Sequence, residues 1–400
     1  MSSILRQFYY SYEFFLERVK VQNIISVFKW NLALYICQND FFSLKIFRID
    51  YENNKCYNIK NFILFYGGGI MKKNILRSLL LVIVFLFAIS CGKKNDTIKI
   101  VFLPNETNDS LKKSREEFAR IVQEATGKKV EIVTTTDYNI TVENIVSGQS
   151  QIAYIGAEAY LNARKRTKDI EAVLTNSGES GTLKDALYYS FIAVRGEDAD
   201  KYRSGNGFDL KKIKGKSIGF VTNSSTSGFK VPGEVIVKEF GLKNTDELLG
   251  NKVFSKVMFG NSHPGTQVLL FKGDVDVATF AIPKSFTIYE LVAGKDFNSG
   301  ATYKVKKGAV APFGEFAGKS FTVIKSIPVY NGPIVFNTRT LSKEDQEKIK
   351  KALMAKSTTD NPHIFSNKKS KVRGLFLKEN DNVGFVETNT AWYEGMKNIK

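Results

Sequence analysis

The densest run of potential ligand donors in the chain is Ser217-Ile218-Gly219-Phe220-Val221-Thr222-Asn223-Ser224-Ser225-Thr226-Ser227-Gly228-Phe229-Lys230-Val231-Pro232. An apolar strand leads into a hydroxyl-rich loop with a glycine, and a helix begins after it. Side-chain hydroxyls and the free amide N–H groups of a helix start together make a neutral cradle for an oxyanion. The competing reading is a simple N-cap, but four hydroxyls in succession exceed what one cap requires. Ser225, Thr226 and Ser227 are therefore expected to bind. A second helix start is Gly260-Asn261-Ser262-His263-Pro264. Pro264 suits the first helical position, which puts His263 beside the cap, where it can donate to an anion oxygen. By spacing alone, a surface-loop His is the commoner case. A third start, Thr134-Thr135-Thr136-Asp137-Tyr138, offers a phenolic donor and an aromatic wall in Tyr138. A lone Tyr in such a place more often packs than binds.

Other chemistry is poorly supplied. No Cys follows Cys91, and the His residues are His263 and His363. Beyond Cys91 that excludes a disulfide, a thiolate metal site and a His-rich metal site. A hydrolase using Ser225 or Ser227 would have His263 as its base and would still need a third, orienting group. Binding without catalysis is the expectation, with no cofactor and no metal. The formal net charge is +18, and the basic excess persists after residue 91. Such a balance fits an anionic ligand, an acidic membrane surface or nucleic acid.

The elements that must position these donors alternate. Strands are expected at Ile98–Leu103, Val130–Val133, Ile152–Ile155 and Leu187–Val194, with helices between them. The first helix has an apolar face of Leu111, Phe118, Ile121, Val122 and Ala125, a cap at Asn108-Asp109-Ser110 and a stop at Gly127. A second block alternates strands at Ser217–Val221, Val253–Met258 and Val275–Phe280 with helices ending near Phe240, over Pro264–Phe271 and over Pro283–Val292. A polar helix over Lys343–Lys356 precedes the breaker Asn361-Pro362. Alternation of this kind implies an α/β protein with mainly parallel sheets covered on both faces, and two blocks imply two lobes.

The N-terminal ninety residues read differently. Met71-Lys72-Lys73 and Arg77 precede an eleven-residue apolar run, Leu79 to Ile89, followed by Ser90-Cys91. A charged start, a short apolar stretch and small residues at the cut are the layout of a secretory signal, here residues 71–90. A membrane span needs about twenty apolar residues. Ala88-Ile89-Ser90-Cys91 resembles a lipobox, with Ala88 where Leu is usual, and implies acylation of Cys91 and a tether over 91–96. A secretion signal argues against a nucleic-acid partner. Residues 1–70 are rich in Phe, Tyr, Asn, Ile and Lys, lack Pro, and end in Gly67-Gly68-Gly69-Ile70. That is what AT-rich DNA and a purine-rich ribosome-binding site would spell. The expectation is that 1–70 is spurious upstream translation or disordered, with the start at Met71.

Taken together, the motifs resemble the phosphate/phosphite/phosphonate substrate-binding proteins of ABC transporters, over about residues 98–340. Ser225-Thr226-Ser227-Gly228 before Phe229-Lys230-Val231-Pro232 is the most specific piece. It is supported by Thr136-Asp137-Tyr138, Gly148-Gln149-Ser150-Gln151-Ile152-Ala153-Tyr154-Ile155-Gly156, Tyr188-Tyr189-Ser190, Gly260-Asn261-Ser262-His263 and Lys272-Gly273-Asp274-Val275-Asp276. The resemblance implies a periplasmic binding protein-like type II fold, two α/β lobes joined by a two-crossing hinge, with the ligand in the interlobe cleft. It assigns Ser225, Thr226 and Ser227 to the oxyanion, Tyr138 and Tyr188 as donors from the opposite lobe, and His263 as a further donor. Lobe one is expected over 97–195 plus 330–400 and lobe two over 196–329, with crossings near Val194 and Ile327-Pro328. The implied partners are a small phosphorus oxyanion (phosphonate, phosphite or phosphate) and a membrane ABC permease, the protein being a monomer held at the cell membrane by its lipid. Two departures stand out. Ala278-Thr279-Phe280-Ala281-Ile282-Pro283 lacks the acid that binders of amino-phosphonates supply, and Ala186 replaces the Gly that often precedes the matched Tyr. A binder of another anion such as sulfonate, or a sensory lipoprotein, is the alternative.

Overall fold

A computed structural model of the chain describes residues 97–104, 111–135, 137–284 and 288–395, together with the backbone of three strands near the N-terminus. Those strands, Asn31–Ile36, Phe41–Asp50 and Lys55–Phe65, pair antiparallel within a unit comprising residues 1–93. The signal segment 71–90, Cys91, the Asn108–Ser110 cap and Thr136 lie outside the described residues. Among the described residues no helix is long and apolar enough to cross a membrane.

Residues 94–400 form the second unit, built on two sheets. The first has six strands in the order Phe385–Glu387, Ile170–Asn176, Ile334–Asn337, Ile152–Tyr154, Thr97–Phe102, Lys129–Val133. Its strand Thr97–Phe102, flanked by Ile152–Tyr154 and Lys129–Val133, is apolar toward both faces because both are covered. Ile98, Ile100 and Phe102 pack with Phe118 and Val122 of the helix Lys112–Thr126, while Val101 and Leu103 pack with Tyr138, Ile145 and Tyr160 on the other face. Gly127, at φ +69°, ends that helix as expected.

The second sheet has seven strands in the order Lys256–Phe259, Ser217–Phe220, Val277–Phe280, Leu187–Arg195, Ser320–Tyr330, Thr302–Val305, Tyr289–Ala293. It too is buried on both faces. Phe191 and Ala193 join one apolar cluster, and Ile192 and Val194 the opposite one.

Three expectations are corrected. The sheets are mixed rather than mainly parallel. Ser217–Phe220 runs parallel to both its neighbours, but from Val277–Phe280 outward every pair is antiparallel. The reason lies in the long strands Leu187–Arg195 and Ser320–Tyr330, which enter and leave the sheet through its middle and pair with each other along their length. The crossings expected near Val194 and Ile327-Pro328 therefore fall inside this sheet, and residues 187–195 belong with it. The chain passes between the sheets within 177–186 and 331–333. Finally, the described residues of Pro283–Val292 form no helix. Tyr289–Ala293 is an edge strand with one buried side chain, Tyr289, and an irregular register between Leu291 and Ala293. A short segment of mixed propensity such as Tyr-Glu-Leu-Val-Ala becomes strand once a neighbouring strand pairs with it.

Candidate functional site

The hydroxyl loop and the His263 loop leave adjacent parallel strands at their carboxyl ends. That is where open α/β sheets present ligands. Asn261 N–H donates to Val221 O (2.9 Å) and Gly260 N–H to Phe220 O (2.8 Å), which fastens the second loop against the first. The hydroxyl loop also folds back on its own strand, Val221 N–H donating to Gly228 O (3.0 Å). A methyl on Gly228 would sit 2.2 Å from Val221 Cγ2, so only glycine permits this turn. From below, Ser190 donates to Ser227 O (2.6 Å) and Thr279 to Gly228 O (2.7 Å).

The three hydroxyls expected to act alike are placed in three different roles. Ser225 is the helical N-cap and accepts from Gly228 N–H (3.1 Å). Thr226 reaches across the cleft, where its Oγ1 accepts from Glu158 N–H (2.9 Å) at the start of the lobe-one helix Ala157–Arg166. That helix begins at Gly156, which has no side chain to cap it, so lobe two supplies the cap. Ser224 makes a second bridge, donating to Asn139 Oδ1 (3.0 Å) in the helix Tyr138–Ser147. Ser227 faces Tyr188 and His263. Its Oγ lies 3.4 Å from His263 Nε2 and hydrogen-bonds to Tyr188. All three side chains are buried.

His263 is the first residue of the helix His263–Lys272, with Ser262 as its cap and Pro264 behind it. Ala281 N–H donates to His263 Nδ1 (3.0 Å), so the neutral ring carries its proton on Nε2, facing Ser227. Burial pushes the imidazole pKa down to about 4, which keeps that ring neutral at ordinary pH. His263 is thus a neutral donor, not a cation. Burial pushes the Tyr188 phenol up to about 12, with the Ser227 hydrogen bond opposing, so Tyr188 keeps its proton as well. Tyr138 is placed elsewhere. Its ring is buried in the lobe-one core, in the apolar cluster that also holds Val221 and Tyr188, and it does not line the cavity.

A cavity of about 190 Å³ opens beside Tyr188 and His263, between the lobes. Lobe one contributes Ile155, Gly156, Asn176, Ser177, Arg373 and Glu379; lobe two contributes Pro264, Gln267 and the segment Ala281–Lys284. Sequence reasoning missed the lobe-one helix start as Thr226's partner, although the quoted Ile155-Gly156 pair marks it. It also missed Lys284, Arg373 and Glu379, which no motif connects. Among the described residues no group of three or more His, Cys, Asp and Glu side chains could hold a metal ion.

A two-lobed α/β fold with neutral donors converging on the cleft is the architecture of a solute-binding protein. A sequence model described as the periplasmic substrate-binding protein of phosphonate ABC transporters matches residues 100–393, and the chain belongs to that family. It is 30% identical over 185 residues to the phosphate-import protein PhnD of Mycolicibacterium smegmatis, covering 45% of this chain and 54% of that one. The chain thus spans about half the length of the curated relative it matches. Among solved structures it resembles a binding protein component of the ABC phosphonate transporter of Pseudomonas aeruginosa (TM-score 0.53, 18% identity, 76% of this chain and 85% of that one). It also resembles PhnD1 of Prochlorococcus marinus in complex with methylphosphonate (TM-score 0.52, 15% identity, 76% and 97%). These likenesses bear out the type II periplasmic binding fold.

Proposed function

We propose that the protein captures a small phosphorus oxyanion in its interlobe cleft and delivers it to an ABC permease. The observation that carries this reading is the meeting of three neutral donors, the buried Ser227 hydroxyl, the Tyr188 phenol and His263 Nε2–H, of which Tyr188 and His263 line a cavity between two lobes. Donors that stay uncharged hold an oxyanion through hydrogen bonds and release it without breaking an ion pair. The family and the phosphate-import relative support phosphorus over sulfur. Ser225 shapes the loop that carries Ser227, and Thr226 ties that loop to lobe one.

Calorimetric titration tests the reading. Phosphate, phosphite, methylphosphonate and ethylphosphonate are expected to include the tightest ligand, ahead of sulfate and methanesulfonate by about tenfold or more. Equal or tighter binding of the sulfur anions, or no binding of any of the six, would sink it.

We further propose export and anchoring through an acylated Cys91, with translation from Met71. Intact mass of the native protein should show a chain starting at Cys91 and carrying acyl groups. A native peptide from residues 1–70, or an unmodified Cys91, would overturn this.

A further inference from the structure

Glu379 is the only carboxylate among the described residues lining the cavity, and it is already occupied. Lys284 Nζ approaches both of its oxygens, at 2.9 and 3.2 Å. The pair is well covered, the two side chains being 26% and 20% exposed. It also joins the lobes. Lys284 follows the second-sheet strand Val277–Phe280, whereas Glu379 follows Phe376, which packs in the lobe-one core with Phe365 and Phe385. Arg373 also lines the cavity. The cavity's one carboxylate among the described residues is therefore held by Lys284, while His263 stays neutral.

We infer that Lys284 is a specificity-determining residue: its ammonium takes the place that a ligand's ammonium would occupy on Glu379, so the cavity accepts phosphonates with an uncharged substituent and rejects aminoalkyl phosphonates. This rests on the phosphorus-oxyanion reading and deepens it. A cationic substituent entering the cavity would have to displace Lys284 and leave that ammonium without a counter-charge. Like charges in a covered site repel strongly, and rejection by an internal competitor needs no steric block. Volume adds to the case, because a cavity of about 190 Å³ has room for more than a bare oxyanion.

The test compares propylphosphonate with 2-aminoethylphosphonate, which differ at their end by a methyl against an ammonium, by titration into the protein and three variants. The wild type is expected to bind the propyl compound at least about tenfold tighter. Lys284→Met frees Glu379 and should tighten the aminoethyl compound relative to the propyl one by about tenfold or more. Lys284→Gln, which keeps a hydrogen bond to Glu379 and is the safer fold, should shift the ratio the same way. Adding Glu379→Gln to Lys284→Met should abolish the gain. Equal affinities in the wild type, an unchanged ratio in both Lys284 variants, or a gain that survives the Glu379 change would overturn the inference and leave the proposed function standing. If neither phosphonate binds the wild type, the inference falls, and the titration with the six anions decides the proposed function separately.

Discussion

Replacing Ser225, Thr226 and Ser227 together by Ala is expected to abolish phosphonate binding while the protein remains folded. Hydrogen bonds to a charged oxygen are worth about 1.5–3 kcal/mol each, so losing two or three costs about a hundredfold or more in affinity. The structure refines how the loss divides. Ser227→Ala alone removes the hydroxyl at which Tyr188 and His263 converge, and should carry the largest single loss with the melting temperature unmoved. Ser225→Ala removes the N-cap of the loop and should lower the melt, by about 1 kcal/mol of stability. Titration and thermal melts on the triple and single variants separate these effects. A triple variant that melts lower yet binds as tightly as the wild type would reduce the whole run to a structural cap.

Gly156→Ala should hold the lobes apart. The added methyl would sit 2.7 Å from Thr226 Oγ1, the atom that accepts from Glu158 N–H across the cleft. Thr226 is buried and β-branched, so it has little room to turn away. Locally the change is benign. Gly156 lies at φ −73° and ψ 159°, where Ala fits, and the swap reduces the freedom of the unfolded chain. The penalty therefore falls on closure, not on folding. A cost of about 1–2 kcal/mol on the closed state lowers apparent affinity about five- to thirtyfold. Small-angle scattering should show Gly156→Ala more open, with an unchanged or higher melting temperature. Coupling gives a sharper check: in a Thr226→Ala background the methyl meets no hydroxyl, so the second substitution should add little. Wild-type affinity in Gly156→Ala would show that the Thr226–Glu158 contact plays no part in binding.

The N-terminal prediction and the Lys284 specificity test address other parts of the chain. The first is independent of these two, whereas the second presupposes that the cleft binds a phosphonate.

What the sequence determined by itself is what local chemistry determines. Apolar runs such as Ile98–Phe102 and Phe191–Val194 announced strands buried on both faces. Gly127 announced a helix stop, Pro264 a helix start, and the Ser224–Ser227 run a hydroxyl-rich loop at a strand's carboxyl end. Each signal lies within a few residues, where backbone geometry and hydrogen-bonding capacity act directly. The tertiary structure alone decided the rest. Nothing near Leu187–Arg195 says that its partner is Ser320–Tyr330, some 130 residues on, so the antiparallel middle of the second sheet and the true crossings were invisible. Tyr289–Ala293 reads as helix or strand until a neighbouring strand offers it backbone partners. Ser225, Thr226 and Ser227 look interchangeable in sequence. They diverge because one folds back on its own loop, one meets a helix 68 residues earlier, and one meets Tyr188 and His263. Lys284 and Glu379 carry no motif and are separated by 95 residues. Which groups meet across the cleft depends on how the lobes close, and that is a property of the packed whole, not of any short segment.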